Sequence, residues 1–195
     1  MTNYHLHQTI DDAFVSGTAP TLEAVLRHRE NRINFLDIII EKYSSFALIC
    51  TKVNMPGSIK NNELIQTLMQ YASEMLMNTL SENKLNVVYE KWINLETGYE
   101  LIQVVDGISG IDLKNLMINL EESWGLGRLF DFDVYTTKGA ISREDLNVGV
   151  RKCLVCDLPS KVCGRDRTHS VEALHQEMKK IILNEGRVTF DDTTG

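Results

Sequence analysis

The chain has 195 residues, 43% of them hydrophobic, with 20 Lys/Arg against 27 Asp/Glu and a formal net charge of −7. Length and apolar content suit one domain with its own core, residues 1–195, and the acidic balance excludes a general nucleic-acid binder, which must displace counterions with positive charge. No apolar run approaches the roughly 20 residues of a membrane helix, and the N-terminus has no basic region followed by an apolar core, so a cytoplasmic protein with no membrane partner is expected.

Residues 18–43 place Leu22, Val25, Leu26, Ile33, Leu36, Ile40 and Tyr43 at helical spacing, with Thr18 or Thr21 as a cap. Arg29 falls inside that stripe, where it either snorkels to water or reaches a phosphate. "SSFALICTKV" is rich in strand formers. In "MPGSIKNN" a turn at Pro56-Gly57 sets Lys60 just before a helix N-terminus, an anion-binding place or an ordinary loop. "NELIQTLMQYASEMLMNTLSEN" is a second helix, with Leu64, Leu68, Ala72, Met75 and Thr79 on one side. "LNVVYEKWINL" and "GYELIQVVD" flank "ETG" as a hairpin. The third main helix opens on Ser109 and Asp112, spaced as a capping box, and "RLFDFDVYT" is the next strand.

The order over residues 46–136 is therefore strand, helix, strand, strand, helix, strand. It predicts an α+β fold, a ferredoxin-like βαββαβ antiparallel sheet with helices on one face, preceded by the N-terminal helix. "KGAISREDL" is a further strand or a turn, and "RKCLVCDLPSKVCGRDRTH" reads as loop. Ser170 caps a final helix that Gly186 stops, completing a Cys/His-rich segment over 150–186. "RVTFDDTTG" reads as a frayed tail.

Two constellations carry chemistry. In "GRLFDFDVY", strand alternation sends Phe130, Phe132 and Val134 one way and Asp131 and Asp133 the other. Two carboxylates on one face repel unless a cation sits between them, and such a pair suits Mg²⁺ and a triphosphate; the alternative is a solvated edge strand. Gly127 and Arg128 just upstream offer a turn with free amides and a guanidinium suited to phosphate. The second constellation is Cys153-x2-Cys156-x6-Cys163-x5-His169, three thiols and an imidazole that meet the ligand count of a structural Zn²⁺ site; the alternative is a set of partly buried thiols. Arg165 and Arg167 lie between these ligands, and from Arg128 to His169 eight Lys/Arg face six Asp/Glu, a locally basic stretch in an acidic chain.

Six segments in order, "LRHRENR", "MPGSIKN", "LGRLFDFDVY", "ISRED", "RKCLVC" and "KVCGRDRTHS", resemble the citrate lyase holo-acyl-carrier-protein synthases, also called apo-citrate lyase phosphoribosyl-dephospho-CoA transferases. The resemblance covers about residues 20–175. It implies a nucleotidyltransferase that moves the prosthetic group from 2'-(5''-triphosphoribosyl)-3'-dephospho-CoA to a serine of the acyl carrier (gamma) subunit of citrate lyase, releasing pyrophosphate. It carries Asp131 and Asp133 over as metal carboxylates, with Gly127 and Arg128 beside them. Arg29, Arg32, Lys60, Arg143, Arg151, Arg165 and His169 match motif positions whose roles follow from charge alone, and Arg167 joins them as a phosphate contact. Members of the family often have Trp and Ile where this chain has Phe130 and Phe132, and His-Pro where it has Trp124-Gly125. The base that takes the serine proton is left among Asp131, Asp133 and His169. A similar synthase that serves the malonate decarboxylase carrier is one alternative; a noncatalytic zinc-knuckle binding module is the alternative from another class.

Overall fold

The computed structural model describes residues 2–123 and 125–191. A short strand β1 (Tyr4–Leu6) and helix α1 (Ile10–Val15) precede the long helix α2 (Leu22–Lys42). Then come β2 (Ala47–Val53), α3 (Glu63–Glu82), β3 (Asn86–Leu95), β4 (Gly98–Asp106), α4 (Gly110–Ser123), a 3-10 turn over Gly125–Leu129, and β5 (Phe130–Thr136). Strand β6 (Gly139–Ile141), helices α5 (Ser160–Asp166) and α6 (Val171–Glu185), and strand β7 (Val188–Phe190) complete the chain. The fold is α+β: five strands in the order β3-β4-β2-β5-β6, every neighbouring pair antiparallel, with six helices among the described residues.

Helix starts are chemically marked. The side chains of Thr21, Asn62, Ser109 and Ser170 accept from the backbone N–H three residues on, at 2.9–3.2 Å. Each satisfies a donor that the first helical turn leaves free. Ser109 and Asp112 also bond each other at 2.7 Å. Gly186 ends α6 at φ 69°, a left-handed cap.

The sheet has apolar residues on both faces, so both need cover. On one face Ala47, Ile49, Leu101, Phe130, Phe132 and Val134 pack with Leu68, Ala72 and Leu76 of α3 and Leu113 and Met117 of α4. On the other, Leu48, Cys50, Ile102 and Val104 pack with Leu36 and Ile39 of α2. This corrects the expectation of helices on one face only. Central strands β2 and β4 are buried residue after residue, and the second face takes α2 as its cover.

Two further expectations change. The N-terminal helix begins at Leu22, not residue 18, and Leu22, Leu26 and Ile33 of its supposed core stripe are exposed. In that half of α2 the residues facing the sheet are His28 and Arg32, which bond Thr97 and Glu100. Residues 188–190 form no frayed tail: β7 pairs in parallel with β1, Tyr4 opposite Val188 and Leu6 opposite Phe190. Leu6 and Val188 are buried in the main core. Residues 192–195 lie outside the described residues. Among the described residues no helix is long and apolar enough to cross a membrane.

Candidate active site

Strand alternation holds through β5. Phe130, Phe132 and Val134 are fully buried, while Asp131 and Asp133 emerge on the face that α2 covers further along. β5 lies between β2 and β6 and is not an edge strand. The register sets Lys52 of β2 opposite Asp131 and Cys50 opposite Asp133. Lys52 Nζ stands between the carboxylates, 2.5 Å from Asp133 Oδ2 and 3.6 Å from Asp131 Oδ2. Arg151 Nη1 donates to Asp131 Oδ1 at 2.6 Å. Amine and guanidinium thus answer the repulsion between the aspartates. Burial opposes ionisation of both Lys52 and Asp133, but their mutual attraction wins, raising the Lys52 pKa and lowering that of Asp133.

A cavity of about 340 Å³ opens beside this cluster, between α2 and the sheet. Arg29, Arg32, Lys52 and Lys60 bring four cations to its wall, with Asp131, Glu100, His28 and Thr97. Arg32 Nη1 donates to Glu100 Oε1, so that arginine is committed. Arg29 and Lys60 form no ion pair among the described residues. Lys60 donates to the Met55 carbonyl at 3.3 Å, and burial and then the Arg29 charge lower its pKa. Two adjacent cations with no carboxylate paired to them leave this part of the wall locally positive.

His28 is buried on the same wall. Its Nδ1 lies 2.5 Å from Thr97 Oγ1, and its Nε2 lies 3.4 Å from Glu100 Oε2. Both Nε2 and Oε2 are buried without a hydrogen bond. Gly98 makes the room: a Cβ there would come within 3.0 Å of His28 Cε1.

Burial pushes the Glu100 carboxyl up, but His28 and Arg32 more than offset this and hold it below its usual value. A carboxyl depressed in the fold stabilises above its unfolded pKa of about 4.3, and loses that contribution as pH falls through the folded value. The melting temperature of the wild type is therefore expected to fall on acidification below about pH 4, and a Glu100→Gln variant to show a shallower fall. Melts by circular dichroism across that window measure both slopes.

A second, larger cavity of about 620 Å³ is lined by Arg128, Arg151, Cys153, Cys163, Arg167 and His169, among others. Asn54 borders both cavities. The connecting loop is pinned by His175, whose Nε2 is 3.1 Å from the Pro56 carbonyl, and by Val171 against Gly57. Arg151 joins the two regions: its Nη2 donates to the carbonyls of Arg128 and Phe130 at 2.6 and 3.0 Å while Nη1 holds Asp131. Arg128 Nη2 in turn donates to the carbonyls of Lys152 and Cys153. Cys153, Cys156, Cys163 and His169 converge, every ligand atom within 4.8 Å of the others, and this cluster can hold a metal ion. The segment read as loop includes helix α5, which carries Cys163.

Three residues expected at the site stand elsewhere. Gly127 is buried, and a Cβ there would lie 2.5 Å from the Leu120 carbonyl oxygen, so it is a close-packing glycine against the end of α4 and lines neither cavity. Arg143 pairs with Glu121 and Glu122 at 2.6 and 2.5 Å, tying the segment after β6 to α4. Arg165 is exposed on α5 and lines neither cavity. Conversely, Lys52, His28, Thr97 and Glu100 had no assigned role. The available signal was Lys52 itself, a lysine in phase with Leu48 and Cys50 in an otherwise buried strand. Trp124 lies outside the described residues.

Residues 20–185 match the family described as apo-citrate lyase phosphoribosyl-dephospho-CoA transferase. A protein of Streptococcus pyogenes serotype M3, named probable apo-citrate lyase phosphoribosyl-dephospho-CoA transferase, is 31% identical over 88% of this chain and 90% of its own length. One of the same name from Vibrio cholerae serotype O1 is 31% identical over 83% of this chain and 90% of its own. "Protein CitXG" of Haemophilus influenzae is 34% identical over 86% of this chain, which spans only 36% of that longer protein. The family match covers both cavities and the paired aspartates, and with relatives above 30% identity over most of the chain it shows that this protein belongs to the apo-citrate lyase phosphoribosyl-dephospho-CoA transferase family.

Proposed function

We propose that this enzyme moves the 5''-phosphoribosyl-3'-dephospho-CoA group from 2'-(5''-triphosphoribosyl)-3'-dephospho-CoA to a serine hydroxyl of the acyl carrier (gamma) subunit of citrate lyase. The observation that carries the reading is the smaller cavity, with four cations and Asp131 on one wall. Arg29 and Lys60 take the outer phosphates that leave as pyrophosphate. Lys52, next to both aspartates, faces the phosphorus under attack. The larger cavity, joined at Asn54, takes the dephospho-CoA portion, with Arg128 and Arg167 on its wall.

The serine oxygen attacks the α-phosphorus in line as the bond to pyrophosphate breaks, and the serine proton must go to a base. Asp133 is a poor one, since Lys52 holds its pKa down. His28 takes the proton in our reading, at Nδ1, which already contacts a hydroxyl oxygen on Thr97. Glu100, 3.4 Å from the other ring nitrogen, stabilises the resulting imidazolium. Asp131 and Asp133 are hard oxygen donors on one strand face and fit Mg²⁺ arriving with the triphosphate, provided Lys52 gives way. When bound, that ion would neutralise charge on the phosphates. We also read the sheet as ferredoxin-like, a reading supported by the order β3-β4-β2-β5 with β6 added at the edge.

Incubating the enzyme with apo-carrier and the triphosphoribosyl precursor should raise the carrier's intact mass by one prosthetic group and release pyrophosphate. A gain only on the malonate decarboxylase carrier would move the acceptor; no gain on either would overturn the reading. His28→Gln is expected to lower kcat about a hundredfold with little change in KM for the precursor. Wild-type kcat in that variant would return the proton to another base.

A further inference from the structure

We propose that Cys153, Cys156, Cys163 and His169 bind one structural Zn²⁺, and that this ion positions Arg151 on Asp131. The four ligand atoms lie within 4.8 Å of one another. Cys156 Sγ is 3.5 Å from Cys163 Sγ and 3.2 Å from His169 Nε2. Four ligands at tetrahedral zinc, with Zn–S of about 2.3 Å and Zn–N of about 2.0 Å, stand about 3.5–3.8 Å apart, so these side chains are already near the required spacing. The 3.5 Å sulfur separation is far beyond the roughly 2.05 Å of a disulfide, and all three cysteines are free thiols. Three soft thiols with one imidazole, four ligands in all, favour Zn²⁺ over Mg²⁺ or Ca²⁺, which take oxygen.

The ligands come from separate places: Cys153 from the end of an irregular segment, Cys156 from the turn after it, Cys163 from α5, and His169 from just before α6. Among the described residues, the strand pairing of this stretch is one isolated bridge, Lys152 to Pro159; turn bonds, the Lys152–Asp157 ion pair and the Arg128 contacts to the Lys152 and Cys153 carbonyls add to it. Such a segment has little regular pairing to fix it, and a metal ion supplies that constraint. Its reach extends to the active site by a short route. Arg151 is two residues from Cys153, and Arg128 grips the Lys152 and Cys153 carbonyls while Arg151 grips the Arg128 carbonyl. Fixing Cys153 therefore fixes Arg151, whose other nitrogen holds Asp131 at 2.6 Å.

The metal claim is tested without any transferase assay. Full-length protein purified without chelator should contain one zinc per chain by elemental analysis, and Cys156→Ser should contain none. Because that variant risks misfolding, wild-type protein is also exchanged with Co²⁺. A tetrahedral thiolate site then gives intense visible bands and sulfur-to-cobalt charge transfer in the near ultraviolet. Protein without stoichiometric zinc, whose thiols give no such spectrum with cobalt, overturns the site. For the positioning role, stripping zinc should cut wild-type kcat/KM at least tenfold but alter Arg151→Ala, already lacking the clasp, by much less. Equal losses in both would leave the ion structural only and overturn the link to Asp131.

Discussion

Asparagine at Asp131 or Asp133 is expected to lower prosthetic-group transfer by at least about a hundredfold, the scale of losing one preorganised electrostatic group at a reacting centre. Both side chains are partly exposed, at 26% and 40%, so neither change leaves a deeply buried cavity, and the variants should melt close to wild type. The two losses differ in kind. Asp131→Asn removes the charge that faces Arg151 Nη1 and weakens the clasp that joins the cavities. Asp133→Asn removes the nearer partner of Lys52 and leaves that amine free to move toward the phosphates or toward Asp131. Steady-state rates with apo-carrier and precursor, with Mg²⁺ varied, separate the cases. If the aspartates share a metal ion, excess Mg²⁺ restores part of the rate in either variant. Turnover near wild type in both would remove the pair from the chemistry and leave Lys52–Asp133 as a structural ion pair.

The paired aspartates and the cysteine–histidine cluster were legible because their geometry is local. A period of two puts Asp131 and Asp133 on one face whatever the rest of the chain does, and close spacing keeps the three thiols and the imidazole within reach of one another. What neutralises the aspartates was not legible. Lys52 is 79 residues away from Asp131 in sequence, and only the β2–β5 register puts it opposite. His28 was obscured by the periodicity itself. The apolar residues Leu22, Leu26 and Ile33 suggest a buried stripe, yet the sheet face beneath that half of α2 presents Glu100, and an arginine and a histidine satisfy it. An ionic need on the partner strand overrode the hydrophobic pattern of the helix. The β1–β7 pairing likewise depends on the two chain ends meeting, which no local pattern signals. Gly127 had the reverse problem. A glycine beside an arginine suggests a phosphate turn, but the requirement is the 2.5 Å approach to the Leu120 carbonyl.

Replacing Arg29 or Lys60 with alanine should raise the KM for the triphosphoribosyl precursor by about ten- to a hundredfold, because a charge-assisted contact to phosphate is worth on the order of 1.5–3 kcal/mol. The KM for the apo-carrier should stay nearly constant. Arg165→Ala is the matched control: it removes the same charge from the basic segment, but from an exposed helix that lines neither cavity. Its KM for the precursor should match wild type. By sequence, Arg29, Lys60, Arg165 and Arg167 are all phosphate candidates on charge alone. What separates them is what each cation already touches. Lys60 is pushed down in pKa by burial and by Arg29, so bringing phosphate between them relieves a repulsion as well as forming contacts, and the Arg29→Ala, Lys60→Ala double variant should lose less than the sum of the single losses. Initial rates across a precursor titration decide the matter. A rise in the carrier KM alone for Arg29→Ala or Lys60→Ala would make this end of α2 the docking face for the carrier and send the pyrophosphate to the larger cavity, where Arg128 and Arg167 are the remaining cations in position.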